Sequence, residues 1–119
     1  MATFTKSILS GSTDGKAILV AATATPGTLI HTGSTTTTTL HEVWLYAVNT
    51  SASNVKLTVE WGEATAPNGN IEFTVAAENG LYLIVPGLLL KGNATALTVR
   101  AFAATTNVIA IHGFVNQIA

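Results

Sequence analysis

Three histidines, six acidic side chains and no cysteine are the inventory from which this chain could build a reactive centre. A zinc-type site needs three or four converging donors, commonly with two of them close in sequence. His31, His41 and His112 are widely spaced, and no His-x-His or His-x-x-x-His pair occurs. Their spacing predicts separate structural or surface histidines. His112 shares an alternating face with Val108, Ala110 and Phe114, which makes it a candidate pH-sensitive contact. General acid–base chemistry needs positioned carboxylates or a His beside a nucleophile. Asp14 stands alone in a turn with Gly15, and Glu42, Glu60, Glu63, Glu72 and Glu78 read as solvent-facing strand or loop charges. Glu60 and Glu72 would be neighbours if their strands paired, the one arrangement here that resembles a glycosidase carboxylate pair. No nucleophile elbow, Walker loop or dinucleotide-binding glycine pattern is present. These residues predict no enzyme, no cofactor and no metal.

The aromatic residues are a different resource. Trp61 is in phase with Val55, Leu57 and Val59 and is expected in the core. Trp44 and Tyr46 share a face of their segment with Val48. That face could be core, a subunit contact or a platform for sugars or bases, since strand aromatics serve all three.

The elements that must position these side chains are strands. Val55–Trp61 and Ile71–Val75 alternate apolar and polar residues, the pattern of half-exposed strands in an antiparallel sheet. Val43–Val48, Leu81–Val85 and Val108–Val115 are apolar on both faces. Weaker strands are expected at Ser7–Leu9, Ala17–Ala22, Leu29–Thr32 and Leu97–Ala103. Turn residues separate them at Asp14-Gly15, Pro26-Gly27, Asn49 to Asn54, Pro67 to Asn70, Asn79-Gly80, Pro86-Gly87 and Gly92-Asn93. The threonine run Thr35–Thr39 reads as an exposed loop or the ragged start of a strand. About eight to ten short strands with no helical period predict an all-β, antiparallel, jelly-roll-like β-sandwich. The 119 residues form one domain, 1–119.

Composition narrows the function. Charged residues make up only 9% of the chain, against roughly 25% in an average soluble domain. Net charge is −1 and the five basic residues are scattered, so no basic cluster exists to displace counterions from a nucleic acid. The longest apolar run, Leu81–Leu90, is interrupted by Pro86-Gly87 and falls short of the roughly 20 residues of a spanning helix. Neither a nucleic-acid nor a membrane partner is expected. A small domain has one interior, so a strand apolar on both sides needs a second cover. Another protein chain is the economical one. Trp44, Tyr46, Val48, Tyr82, Ile84, Ile109 and Ile111 are the candidate interface residues.

The short Cys-free chain, its Thr/Ala/Val/Gly-rich strands, the segment Leu81-Tyr82-Leu83-Ile84-Val85-Pro86-Gly87-Leu88-Leu89-Leu90 and the apolar ending Asn107 to Ile118 resemble small structural proteins of tailed-bacteriophage virions, in particular capsid cement or decoration proteins. The resemblance is one of style along most of the chain and transfers no site residue. It implies a jelly roll or related sandwich, commonly trimeric, on the capsid exterior, where it clamps the major capsid protein against internal pressure. The competing expectation is a carbohydrate- or receptor-binding β-module associated with a phage tail. A small cupin-like or glycosidase-like enzyme is the third, and it lacks the clustered His or paired acids it would need.

Overall fold

The computed structural model describes residues 2–119, with Met1 outside the described residues. Among the described residues nine strands follow one another: β1 (Phe4–Ile8), β2 (Ile18–Leu19), β3 (Thr28–Thr32), β4 (Leu40–Asn49), β5 (Val55–Trp61), β6 (Asn70–Val75), β7 (Tyr82–Lys91), β8 (Thr98–Ala103) and β9 (Ile109–Ile118). They form two antiparallel sheets. The first has the order β1-β9-β4-β7, with β2 also pairing β9; the second is β3-β8-β5-β6. If β1 and β2 are taken as one interrupted edge strand, the strand orders of the two sheets are those of a jelly roll. The expected all-β antiparallel sandwich is therefore what this sequence forms.

The core lies between the sheets and follows the period of two that strands impose. Along β4, Val43, Leu45 and Ala47 are fully buried, while Glu42, Trp44, Tyr46 and Val48 are half-buried on the other side. Leu57 and Val59 of β5, Val99, Ala101 and Ala103 of β8, and Ile109, Ile111 and Val115 of β9 complete the interior with Leu9, Val20, Ile30 and Val85. Each large aliphatic side chain removed from water stabilises the fold by roughly 1.5–3 kcal/mol. This placement corrects two interface expectations. Ile109 and Ile111 point inward and are wholly buried, so no partner can reach them.

Pro86-Gly87 does not end a strand, contrary to its turn-like chemistry. β7 runs through it, and the register against β4 slips between Val43 and Trp44 and again between Leu45 and Tyr46. Gly87 supplies the positive φ of 76° that the first bulge requires. A Cβ there would also meet the Trp44 indole at 2.9 Å. Proline and bulges on an edge strand oppose continuation of the sheet into another molecule.

The two long sides of the sandwich close differently. On one, Leu9–Gly11 lies along β3: Gly11 N–H donates to Ile30 O at 3.0 Å and Thr32 N–H to Ser10 Oγ at 2.6 Å. Gly11 comes so near that a Cβ would stand 2.6 Å from Leu29 O. On the other, Tyr82 meets Phe73 of the opposite sheet, ring centroids 5.0 Å apart, and Ile84, displaced by the second bulge, packs on the core. Tyr82 and Ile84 thus have contacts inside the chain, Tyr82 remaining partly exposed.

Candidate binding face

Residues directly opposite one another in an antiparallel sheet share a face. The register therefore assembles the outer face of the first sheet row by row. Leu40 of β4 stands opposite Ile118 of β9, which stands opposite Phe4 of β1. Next come Glu42, Asn116 and Lys6; then Trp44, Phe114 and Ile8. Beyond them Tyr46 faces His112, and Val48 faces Ala110, which pairs Leu19 of β2. From β7, Leu89 and Leu83 join the same face beside Glu42 and Tyr46.

Its centre is ordered. Trp44 and Phe114 stack with their planes 10° apart and centroids 5.9 Å apart. Lys6 Nζ lies 4.8 Å from the Phe114 centroid, within cation–π range. Trp44 Nε1–H donates to Glu42 Oε1 at 2.7 Å, and Asn116 Nδ2–H donates to the same oxygen at 2.9 Å. The Trp44 hydrogen bond, then that of Asn116, holds the Glu42 carboxyl below its ordinary range, because both favour the charged form. Around this centre the apolar rim is open to solvent: Phe4 is 71% exposed, and Ile8, Leu19, Leu83 and Leu89 are also exposed. Exposed apolar side chains gathered on one face mark a surface that gains from being covered.

Of the sequence-derived interface residues, the structure brings Trp44, Tyr46 and Val48 onto this face and leaves Tyr82, Ile84, Ile109 and Ile111 elsewhere. Phe4, Lys6, Ile8, Glu42, Phe114 and Asn116 were missed. Their signal is the alternation Phe4-Lys6-Ile8, which becomes meaningful only once β1 is paired with β9. Trp61 is half-buried and packs against the core, near its expected place.

Two buried polar groups depart from expectation. Glu60, read as solvent-facing, is 1% exposed. Its carboxyl accepts the Gly27 N–H at 2.6 Å and the Thr25 hydroxyl, so it clamps the loop between β2 and β3 onto the second sheet. Arg100, opposite Glu60 on β8, donates from Nη1 to Gly27 O at 3.1 Å. Glu60 and Glu72 do not stand opposite each other: Glu60 pairs Asn70, and Glu72 pairs Thr58. Glu72 is taken up by an exposed ion pair with Lys56 at 3.0 Å. Beside them Thr23, Lys56, Thr58, Glu72 and Phe102 line a shallow open hollow of about 150 Å³.

His31 and His41, expected to be independent, meet across the sandwich. The register slip in β3 turns both Ile30 and His31 inward, and His31 Nε2 lies 2.8 Å from His41 Nδ1. Ser10 N–H donates to His31 Nδ1 at 3.0 Å, so the His31 proton resides on Nε2 and is donated to His41 Nδ1. Burial, then the neighbouring His41, lowers the His31 pKa from 6.5 to about 4, and burial lowers that of His41. Among the described residues, no three His, Asp or Glu side chains converge on a point that could hold a metal ion.

In comparisons with known proteins, no family model, curated protein or solved structure matches this chain.

Proposed function

We propose that this chain is a non-enzymatic structural protein of a tailed-phage virion, a capsid cement or decoration module that associates with itself and binds the major capsid protein on the outside of the shell. The observation that carries the reading is the uncovered outer face of the first sheet. Two central strands, β4 and β9, present half-buried Trp44, Tyr46, Val48 and Phe114 there inside a rim of solvent-exposed apolar side chains. Such a surface gains by being covered, at roughly 25 cal/mol for each Å² of apolar area removed from water. A rigid β-module seated across joints between shell subunits adds contact area that expansion of the shell must break. Many copies make modest contacts effective through multivalency. The resemblance noted above adds the capsid exterior and a homo-oligomer, with a trimer as its usual form. The test is co-sedimentation of the purified protein with undecorated shells of the phage that encodes it, together with the melting temperature of those shells. Saturable binding that raises the melting temperature supports the reading. Shells that bind nothing and melt unchanged contradict it.

A second reading draws on the same centre. A stacked Trp44–Phe114 pair beside Glu42 and Asn116 has the parts of a sugar platform, which would make the chain a carbohydrate- or receptor-binding module of a tail. Against it, Lys6 lies over the Phe114 ring and Trp44 packs on Gly87. Binding on a glycan array that is lost in Trp44→Ala would favour this second reading.

A further inference from the structure

We propose that a second copy of this chain packs on the outer face of the first sheet, about a two-fold axis running along β9. The proposal rests on the reading of that face as an assembly surface and adds which residues meet. On this face β9 is flanked by β4 on one side and by β1 and β2 on the other. A half-turn about β9 lays β4 of one copy over β1 of its partner. The register then dictates the encounters. Asn116 stands opposite both Glu42 and Lys6, so Glu42 of each copy meets Lys6 of the other. Phe114 stands opposite both Trp44 and Ile8, so Trp44 meets Ile8 while Phe114 meets its own copy. Leu40 and Phe4, both opposite Ile118, meet likewise.

The charges argue for this occupant. Glu42 and Lys6 are the only Asp, Glu, Lys or Arg residues in β1, β2, β4 and β9. They exchange under the half-turn, giving two ion pairs of correct sign. Within one chain they stand two strand spacings apart, about 9.6 Å, with Asn116 between them. Each is held in place by its own neighbours, Glu42 by Trp44 and Asn116 and Lys6 over Phe114. Lys91 of β7, opposite Leu40, lies outside the overlap, so the area that meets carries one charge of each sign and suits a partner with the same balance, which a strongly acidic or basic surface does not have. Face-to-face sheets pack at about −30°, so the matches are closest near the middle row. The overlap is three strands wide, because β7 has no counterpart beyond β1; about 33 Å long, it covers about 475 Å² per copy, about 950 Å² in all, the size of a weak association that dissociates on dilution.

The test is the solution mass, by light scattering over a concentration series, of the wild type, Lys6→Glu, Glu42→Lys and an equimolar mixture of these two variants. The wild type should be a dimer that dissociates on dilution. Each variant alone places like charges opposite one another twice, and its dissociation constant should rise about tenfold or more. In the mixture both pairs regain opposite signs, and the dimer should return. Glu42→Gln keeps an acceptor for Trp44 and Asn116, guards against misfolding of Glu42→Lys, and should weaken the dimer about threefold. Variants with the wild-type mass, a mixture that stays monomeric, or a trimeric wild type would overturn the two-fold. A wild type that is monomeric at every concentration yet binds shells overturns the two-fold and leaves the proposed function standing. A dimer that obeys the charge rule but binds no shell supports the two-fold and contradicts that function.

Discussion

The two outer faces of the sandwich come from the same charge-poor chain and are finished in different ways. The second sheet covers itself. Its outward residues on β5 are Lys56, Thr58 and Glu60, and the loop between β2 and β3 folds over them until Thr58 and Glu60 are buried. Glu60 ties that loop down from below, Arg100 grips Gly27 beside it, and the Lys56–Glu72 ion pair marks the solvent edge. The first sheet has polar order at its centre, in Glu42, Asn116 and Lys6, and exposed Phe4, Ile8, Leu19 and Leu89 around it. Polar residues on the second sheet are spent on internal cover. On the first they form the middle of an open apolar surface. A face completed within the chain should matter to folding, and an open one should matter to association.

That contrast is sharpest at Glu60. Glu60→Ala leaves the buried Gly27 N–H without its acceptor, at about 1–3 kcal/mol, while the hydroxyl of the exposed Thr25 turns to water. A loss of about 1–3 kcal/mol in denaturant unfolding is expected, with the solution mass unchanged. A Glu60→Ala protein as stable as the wild type would break the comparison on the side of the second sheet.

The His31–His41 pair gives the next largest effect and acts with pH. Both imidazoles are held neutral in the fold, with pKa values below those of the unfolded chain. The unfolded state therefore binds more protons below pH 6.5, and stability present above that value is lost as pH falls toward the folded pKa of His31, about 4. The loss should be on the order of 2 kcal/mol, allowing for partial solvent screening. A His31→Leu/His41→Leu double variant should flatten the slope of unfolding free energy between pH 6.5 and 4. An unchanged slope would mean that other groups carry it.

Gly87→Ala strains a left-handed residue and presses a methyl group on Trp44, and should cost about 1–2 kcal/mol. Because Trp44 lies on the open face, this variant should also weaken association, which Glu60→Ala should not. Smallest of all, Leu89→Ser should shift stability by about 0.5 kcal/mol or less. A large thermal destabilisation there would mean that the rim already packs within the chain.

Much of the fold was legible because alternation reports burial directly. Val55–Trp61 and Ile71–Val75 became β5 and β6 with almost the expected ends, and Val43–Val48 became part of β4, although only the structure shows that Val43, Leu45 and Ala47 are its inward side. The two-sided runs were ambiguous for a physical reason. Which side of Val108–Ile111 faces inward is decided by pairing with distant strands, and the pairing put Ile109 and Ile111 inside. Pro86-Gly87 carried turn chemistry that a bulge uses equally well. Glu60 and the histidine pair could not be read locally at all. A glutamate between Val59 and Trp61 becomes buried only when a loop more than 30 residues earlier folds over it. His31 and His41 meet only when β3 and β4 are placed in opposite sheets. That Trp44 and Tyr46 share a face was readable, while Lys6, Ile8 and Phe114 joined them only through register.

The most direct measurement is the solution mass of the wild type beside Trp44→Asp, by size-exclusion chromatography with light scattering, with a thermal melt of each. The wild type should exceed the monomer mass and fall toward it on dilution. Trp44→Asp, charged at the centre of the open face, should be monomeric at all concentrations while remaining folded. A folded Trp44→Asp protein with the wild-type mass would contradict the claim that this face is where the chain meets another protein.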